Sequence, residues 1–207
     1  MADWDNIFKK EGKVFEIPHP DMERVAGIFK NRDICKILDI GCGSGRHLVF
    51  FSKMGFEIYG LDASPRALEI SEEWLKEEGR TCDLKLHRIE DKFPYTNDYF
   101  DAIISIQVIH HNLLKDIKFT IKEINRVLKP KGLIFITFPL FGGGSKLDGW
   151  DLKEIEKGTY IPQTGSEKGL PHHFFTIDEI YQLFEPFKIL ELYVDETNHR
   201  ALLAEKK

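Results

Sequence analysis

From residue 36 onward, short apolar runs rich in β-branched residues alternate with stretches whose apolar positions recur every three to four residues. That alternation predicts a parallel sheet with crossover helices. Residues 36–40, 56–61, 84–89, 100–106 and 132–138 read as five strands, several apolar enough to be covered on both faces. A first crossover helix is predicted over 45–54, with Gly55 closing it. A second starts where Ser64 can cap and Pro65 can take the first helical position, and runs to Gly79. A third, over 115–128, places Ile117, Ile121, Ile124 and Leu128 on one stripe before Lys129-Pro130 stops it.

Outside this core the pattern changes. Residues 21–30 read as a helix and 1–20 as an arm, which carries Trp4, Phe8 and Phe15. Residues 139–175 hold Gly142-Gly143-Gly144 and no long periodic stretch, yet they carry Trp150, Tyr160, Phe174 and Phe175, too many aromatics for a solvated linker. The segment is therefore expected to be a cap over a site. A helix restarts at Thr176, which with Glu179 forms a capping-box pattern. Residues 187–194 and 200–204 are then expected to pair as an antiparallel hairpin at the sheet edge.

Length and charge narrow the function classes. A chain of 207 residues with 42% hydrophobic content can bury one good core, so a single domain over 1–207 is expected. The net charge of -5, with basic residues scattered, argues against a nucleic-acid partner. The first residues lack the basic-then-apolar order of a signal peptide, and no apolar run is long enough to span a bilayer, so a cytoplasmic protein is expected, with no membrane partner. Cys35, Cys42 and Cys82 are odd in number and widely spaced, and are expected to be reduced, mostly buried thiols.

The chemistry concentrates in Lys36-Ile37-Leu38-Asp39-Ile40-Gly41-Cys42-Gly43-Ser44-Gly45-Arg46-His47, a strand entering a glycine turn and then a helix. Glycines there let a ligand lie directly on the backbone beside the N–H groups of a helix start. Twenty-one residues after Gly41, Asp62 ends the second strand with a carboxylate suited to a ribose diol. Both features fit a nicotinamide or an adenosyl cofactor. Two details favour S-adenosylmethionine: Arg46 stands where the dinucleotide pattern needs its third glycine, and Asp39 would repel a pyrophosphate but attract an ammonium and a sulfonium.

Ile37 to Gly45 resembles the first motif of class I S-adenosylmethionine-dependent methyltransferases. The likeness continues through Tyr59-Gly60-Leu61-Asp62-Ala63-Ser64, Phe93-Pro94-Tyr95, Tyr99-Phe100-Asp101 and Arg126-Val127-Leu128-Lys129-Pro130-Lys131-Gly132, where Lys131 replaces a glycine. The resemblance implies a Rossmann-like three-layer α/β/α sandwich, its seven-stranded, mostly parallel sheet ordered 3-2-1-4-5-7-6 with strand 7 antiparallel. It places Gly41, Cys42 and Gly43 under the methionine and ribose, Asp62 on the ribose, Ala63 on the adenine, and Ile106 and Gln107 near the cofactor. The position that often carries an adenine-binding aspartate is Ile89 here, so Glu90 or Asp91 takes that role or both simply begin the next turn.

The acceptor is less legible. The strand-four end, Ile106-Gln107-Val108-Ile109-His110-His111, lacks the Pro-Pro pattern of amino-methylating nucleic-acid enzymes, which favours a small molecule. Residues 158–175 resemble the cap of small, tellurite-resistance-like methyltransferases, which makes Tyr160, His172 and His173, with His110 and His111, the acceptor-pocket residues. No metal is expected, because neighbouring residues on an extended chain point apart. A nicotinamide oxidoreductase and a non-catalytic S-adenosylmethionine-binding protein are the alternatives.

Overall fold

The computed structural model describes residues 4–141 and 151–207. Gly142-Gly143-Gly144 and Trp150, read above as part of the cap, lie outside the described residues. In chain order the elements are α1 (Trp4–Glu11), α2 (Met22–Lys30), β1 (Lys36–Ile40), α3 (Arg46–Lys53), β2 (Glu57–Asp62), α4 (Pro65–Glu77), β3 (Asp83–Leu86) and β4 (Phe100–Ile106). There follow α5 (Leu114–Val127), β5 (Leu128–Pro139), β6 (Leu152–Glu156), β7 (Thr159–Pro162), β8 (His172–His173), α6 (Ile177–Leu183), β9 (Phe187–Val194) and β10 (His199–Lys206).

Seven strands form one sheet in the order β3-β2-β1-β4-β5-β10-β9. Counting only its own members, this is 3-2-1-4-5-7-6. The pairs from β3 to β5 are parallel, while β10 runs antiparallel to both neighbours. Alternation along the strands loads both faces. Leu38, Ile40, Ile103, Ile134, Ile136 and Leu202 face α5 and α6, meeting Ile117, Ile121, Ile124 and Phe184. Ile37, Ala102, Ile104, Leu133, Phe135 and Leu203 face α2 and α3, meeting Met22, Phe29, Leu48 and Phe51. The result is the expected three-layer α/β/α sandwich of Rossmann-like type.

The local signals at helix starts operate as read. Ser64 accepts from the Ala67 N–H to cap α4, and Thr176 with Glu179 forms a complete capping box on α6. Lys131 adopts φ +65°, the left-handed conformation of the glycine it replaces, inside an irregularity where β5 passes from pairing Phe100 to pairing Ala102.

Four expectations need correction. The arm over 1–20 contains a helix, α1, which docks on α4 through Phe8, Ala67 and Ile70. The segment 139–175 contains a three-stranded antiparallel sheet, β6-β7-β8. Strand β3 ends at Leu86, three residues early, because its neighbour β2 ends opposite it at Asp62 and leaves nothing further to pair. Of the three cysteines only Cys42 is fully buried; Cys35 is exposed. Among the described residues no helix is long and apolar enough to cross a membrane.

Candidate functional site

The turn between β1 and α3 lies at the carboxyl end of the sheet, where ligands of open α/β folds bind. Both Gly41 N–H and Cys42 N–H donate to the Leu61 carbonyl, at 2.7 and 3.0 Å, which fixes the turn to the end of β2. Gly41 has φ +71°, and a Cβ there would stand 2.4 Å from Val108 Cγ1; one on Gly43 would stand 3.3 Å from Phe8 Cζ. Bare backbone is thus needed for close approach as well as for conformation. Cys42 turns its side chain into the core, so it offers the site only its backbone.

Asp62 is buried and rigidly held. Its Oδ2 accepts from Gly43 N–H and its Oδ1 from Ser64 N–H, both at 2.8 Å. Burial raises its pKa, and backbone donation from Ser64, Gly43 and Ala63 works against that rise. A carboxylate has about four lone-pair sites, so capacity is left for a hydroxyl donor. Ala63 beside it is exposed. On the turn after β3, Ile89 packs into the core, Glu90 is engaged by Arg88 Nε at 2.6 Å, and Asp91 is exposed.

Asp39 is 1% exposed and its Oδ2 has no hydrogen-bond partner. Burial pushes its carboxyl up to about 8; Arg46 opposes the rise and Asp62 adds to it. The nearest partner in view is His47, whose Nδ1 lies 3.8 Å from Oδ2. His47 Nε2 accepts from the His19 N–H at 3.2 Å, so a neutral ring carries its proton on Nδ1, facing the acid. Burial holds His47 well below the usual histidine range. Arg46 donates to the Ile17 carbonyl and lies over the Phe15 ring, while Ser44 Oγ donates to the Phe15 carbonyl. The side chain that breaks the dinucleotide pattern therefore fastens the arm across the loop.

Helix α1 completes this roof. Asp5 Oδ1 accepts from Ser64 Oγ at 2.7 Å and from Arg66 N–H at 3.0 Å. The Lys9 ammonium, which pairs with Asp5 Oδ2, and then these two bonds hold Asp5 down to about 2.

At the end of β4, Ile106 is buried and Gln107 adopts φ +60°, a strained conformation of the kind that clusters at functional sites. Its N–H donates to Thr137 Oγ1 at 3.0 Å. Beyond it four histidines assemble. His173 N–H donates to the His110 carbonyl at 2.8 Å, which fastens β8 to the strand-four end. His173 itself is a structural tie, with Nδ1 2.7 Å from Thr159 Oγ1 and Nε2 3.4 Å from Glu179 Oε1. The other three converge: ring centroids are 3.9 Å apart for His110 and His111, 4.5 Å for His111 and His172, and 5.7 Å for His110 and His172. The expectation that neighbouring histidines point apart fails here, because the chain turns after β4 instead of continuing extended. Burial and mutual repulsion push His110 well below its usual range and His111 to about 3, so both rings are neutral. Trp4 covers His111 at 5.4 Å, and Tyr160 packs on Phe141 and Phe174.

Of the residues expected from sequence, Gly41, Cys42, Gly43, Asp62, Ile106 and Gln107 stand at the carboxyl ends of β1, β2 and β4, and His110, His111 and His172 meet beyond β4. Val108, which closes on Gly41, was not among them and has no local sequence signal; it is one apolar residue in an apolar run.

Comparison with known proteins agrees with this geometry. Residues 38–136 match the family described as a methyltransferase domain. The ubiquinone biosynthesis O-methyltransferase of Pelagibacter ubique is 33% identical over 104 residues, 49% of this chain and 40% of that protein. That of Bartonella bacilliformis is 27% identical over 162 residues, 73% of this chain and 64% of that protein. The chain therefore spans between 40% and 64% of the length of these relatives. In fold, it superposes on a crystal structure of a SAM-dependent methyltransferase from Methanosarcina mazei with a TM-score of 0.74 at 21% identity, covering 92% of this chain and 98% of that one. Residues 38–136 are thus similar to a methyltransferase domain, and the 3-2-1-4-5-7-6 sheet has the fold of the SAM-dependent methyltransferase it superposes on.

Proposed function

We propose that this chain transfers a methyl group from S-adenosylmethionine to a small-molecule acceptor held between the end of β4 and the β6-β7-β8 sheet. The observation that carries this reading is Asp62, whose carboxylate is pinned by two backbone N–H groups against the bare turn at Gly41 and Gly43. S-adenosylmethionine supplies a methyl group already activated on a sulfonium, so the chain's work is positioning and exclusion of water.

In this reading Asp62 takes the ribose hydroxyls and Gly41, Cys42 and Gly43 present backbone to the methionine and ribose. Asp39, whose Oδ2 has no hydrogen-bond partner, would supply negative charge by giving up its proton as an ammonium or sulfonium approaches. Ala63 lies against the adenine, and Asp91 is the stronger choice for its amino group because Glu90 is already engaged by Arg88. Ile106 and Gln107 border the methyl-bearing end. Residues 152–173 cap the acceptor, with Tyr160 and His172 lining it, and α1 roofs the cofactor. The relatives' printed names, ubiquinone biosynthesis O-methyltransferases, favour a small molecule as acceptor. The net charge of -5 gives no support to a nucleic-acid partner.

Isothermal titration with S-adenosylmethionine and S-adenosylhomocysteine tests the reading. Asp62→Ala should weaken binding by about 1–3 kcal/mol, a factor of about 5 to 150. Equal affinity in the variant, or no saturation in the wild type, overturns it.

A further inference from the structure

We infer that His110, His111 and His172 form a binding site for a divalent transition-metal ion of the zinc class. The three residues come from two parts of the chain some 60 positions apart, yet each offers a ring nitrogen and these atoms all lie within 4.8 Å of one another. Around tetrahedral zinc, bonds of about 2.0–2.1 Å space the ligand nitrogens about 3.4 Å apart, so the rings need close by no more than about 1.4 Å. His110 and His172 are 3% and 2% exposed, which leaves little water to satisfy them.

The hydrogen bonds orient the set. Nδ1 of His110 and Nδ1 of His111 are both buried without a partner, an arrangement that costs free energy unless something fills it. His111 is hydrogen-bonded to the backbone of Pro171, which has a carbonyl but no N–H. The ring proton therefore sits on Nε2, which leaves a lone pair on the buried, unpartnered Nδ1. His172 Nε2 lies 2.8 Å from Glu167 Oε2. Ligating histidines characteristically donate their second N–H to a carbonyl or a carboxylate in this way. Ligation through His172 Nδ1 requires its 3.0 Å contact with the Leu170 carbonyl to open.

A second cluster, His19, Asp21 and Asp195, shares the ligand spacing. It is internally satisfied: His19 Nε2 meets Asp195 Oδ2 at 3.1 Å, and Asp195 Oδ1 accepts from Thr197 and His199. It serves as the control. Three histidines leave one zinc position for an oxygen ligand; a hydroxylated acceptor would fit there, and that consequence alone rests on the methyltransferase reading.

The test uses the full chain stripped with chelator, titrated with Zn2+ against a chromophoric indicator and with Co2+ for the visible absorption of a four-coordinate site. Expected are one ion per chain, a loss of affinity beyond about 100-fold in His111→Ala and in His172→Ala, and a loss of about 10-fold in Glu167→Gln. Asp21→Asn should bind as the wild type does. No saturable binding by the folded wild type, affinity unchanged in the histidine variants, or loss in Asp21→Asn instead overturns the assignment. Circular dichroism checks folding, and His172→Gln replaces His172→Ala if the latter does not fold. Zinc binding without response to S-adenosylmethionine would refute the function proposed above and leave this site standing; the converse result would do the reverse.

Discussion

Asp39 gives the protein a pH dependence opposite to that of most acids. Its ordinary value is 3.8 and its folded value is about 8. Between those limits the folded chain holds a proton that the unfolded chain has released, so stability falls as pH rises. One proton corresponds to about 1.4 kcal/mol per pH unit, or about 2.7 kcal/mol between about pH 5 and about pH 7. His47, His110 and His111 act in the other sense, because their folded values lie below 6.5. Each contributes stability that is present above that pH and lost as pH falls below it. The measurement is therefore a difference: urea unfolding of wild type and Asp39→Asn across this range. The variant gains on the wild type by about 1.4 kcal/mol per unit as pH rises. Parallel stability curves refute the argument. The same group tests the cofactor reading, since an ammonium brought near Asp39 expels its proton. Binding heat should then vary with the ionisation enthalpy of the buffer in the wild type and not in Asp39→Asn.

Gly41→Ala forces a side chain into a left-handed position against Val108 and should cost about 1–3 kcal/mol of stability, read by thermal unfolding; no loss would mean the turn relaxes freely. Arg126 holds the buried Glu123 and also donates to the Phe93 and Tyr95 carbonyls. Arg126→Met strands all three partners and should cost about 3–5 kcal/mol in urea unfolding, and a loss under about 1 kcal/mol would deny the network its importance. Phe8→Ala should release α1, raising amide exchange over residues 4–12 and speeding dissociation of S-adenosylmethionine; an unchanged dissociation rate would show that α1 does not cover the cofactor.

What the sequence makes legible is what is encoded within a few residues. The β1 strand and its glycine turn, Asp62, the Ser64 cap, the Thr176 box and the terminal hairpin all carry their own local chemistry, and all stand where expected. Helix α1 has only eight residues, and its placement rests on Phe8 meeting Ala67 and Ile70 nearly 60 positions away. Strands β6 to β8 are short, largely exposed along β6, and only two residues long at β8. Their pairing is decided by contact with each other and with His110, which no window of neighbouring residues can reveal. The convergence of the histidines is hidden for the same reason: one of the three rings, His172, comes from β8, some 60 positions from the other two.

Strand β10 sits between β5 and β9, with Ala201 to Ala204 fully enclosed. During synthesis β9 emerges before it and has no neighbour in the sheet until β10 slots in. A growing chain that has not yet exposed residues 199–206 would therefore leave the edges of β5 and β9 open to other chains. A nascent chain stalled short of residue 199 should be captured by chaperones, and one stalled well beyond residue 206 should escape them.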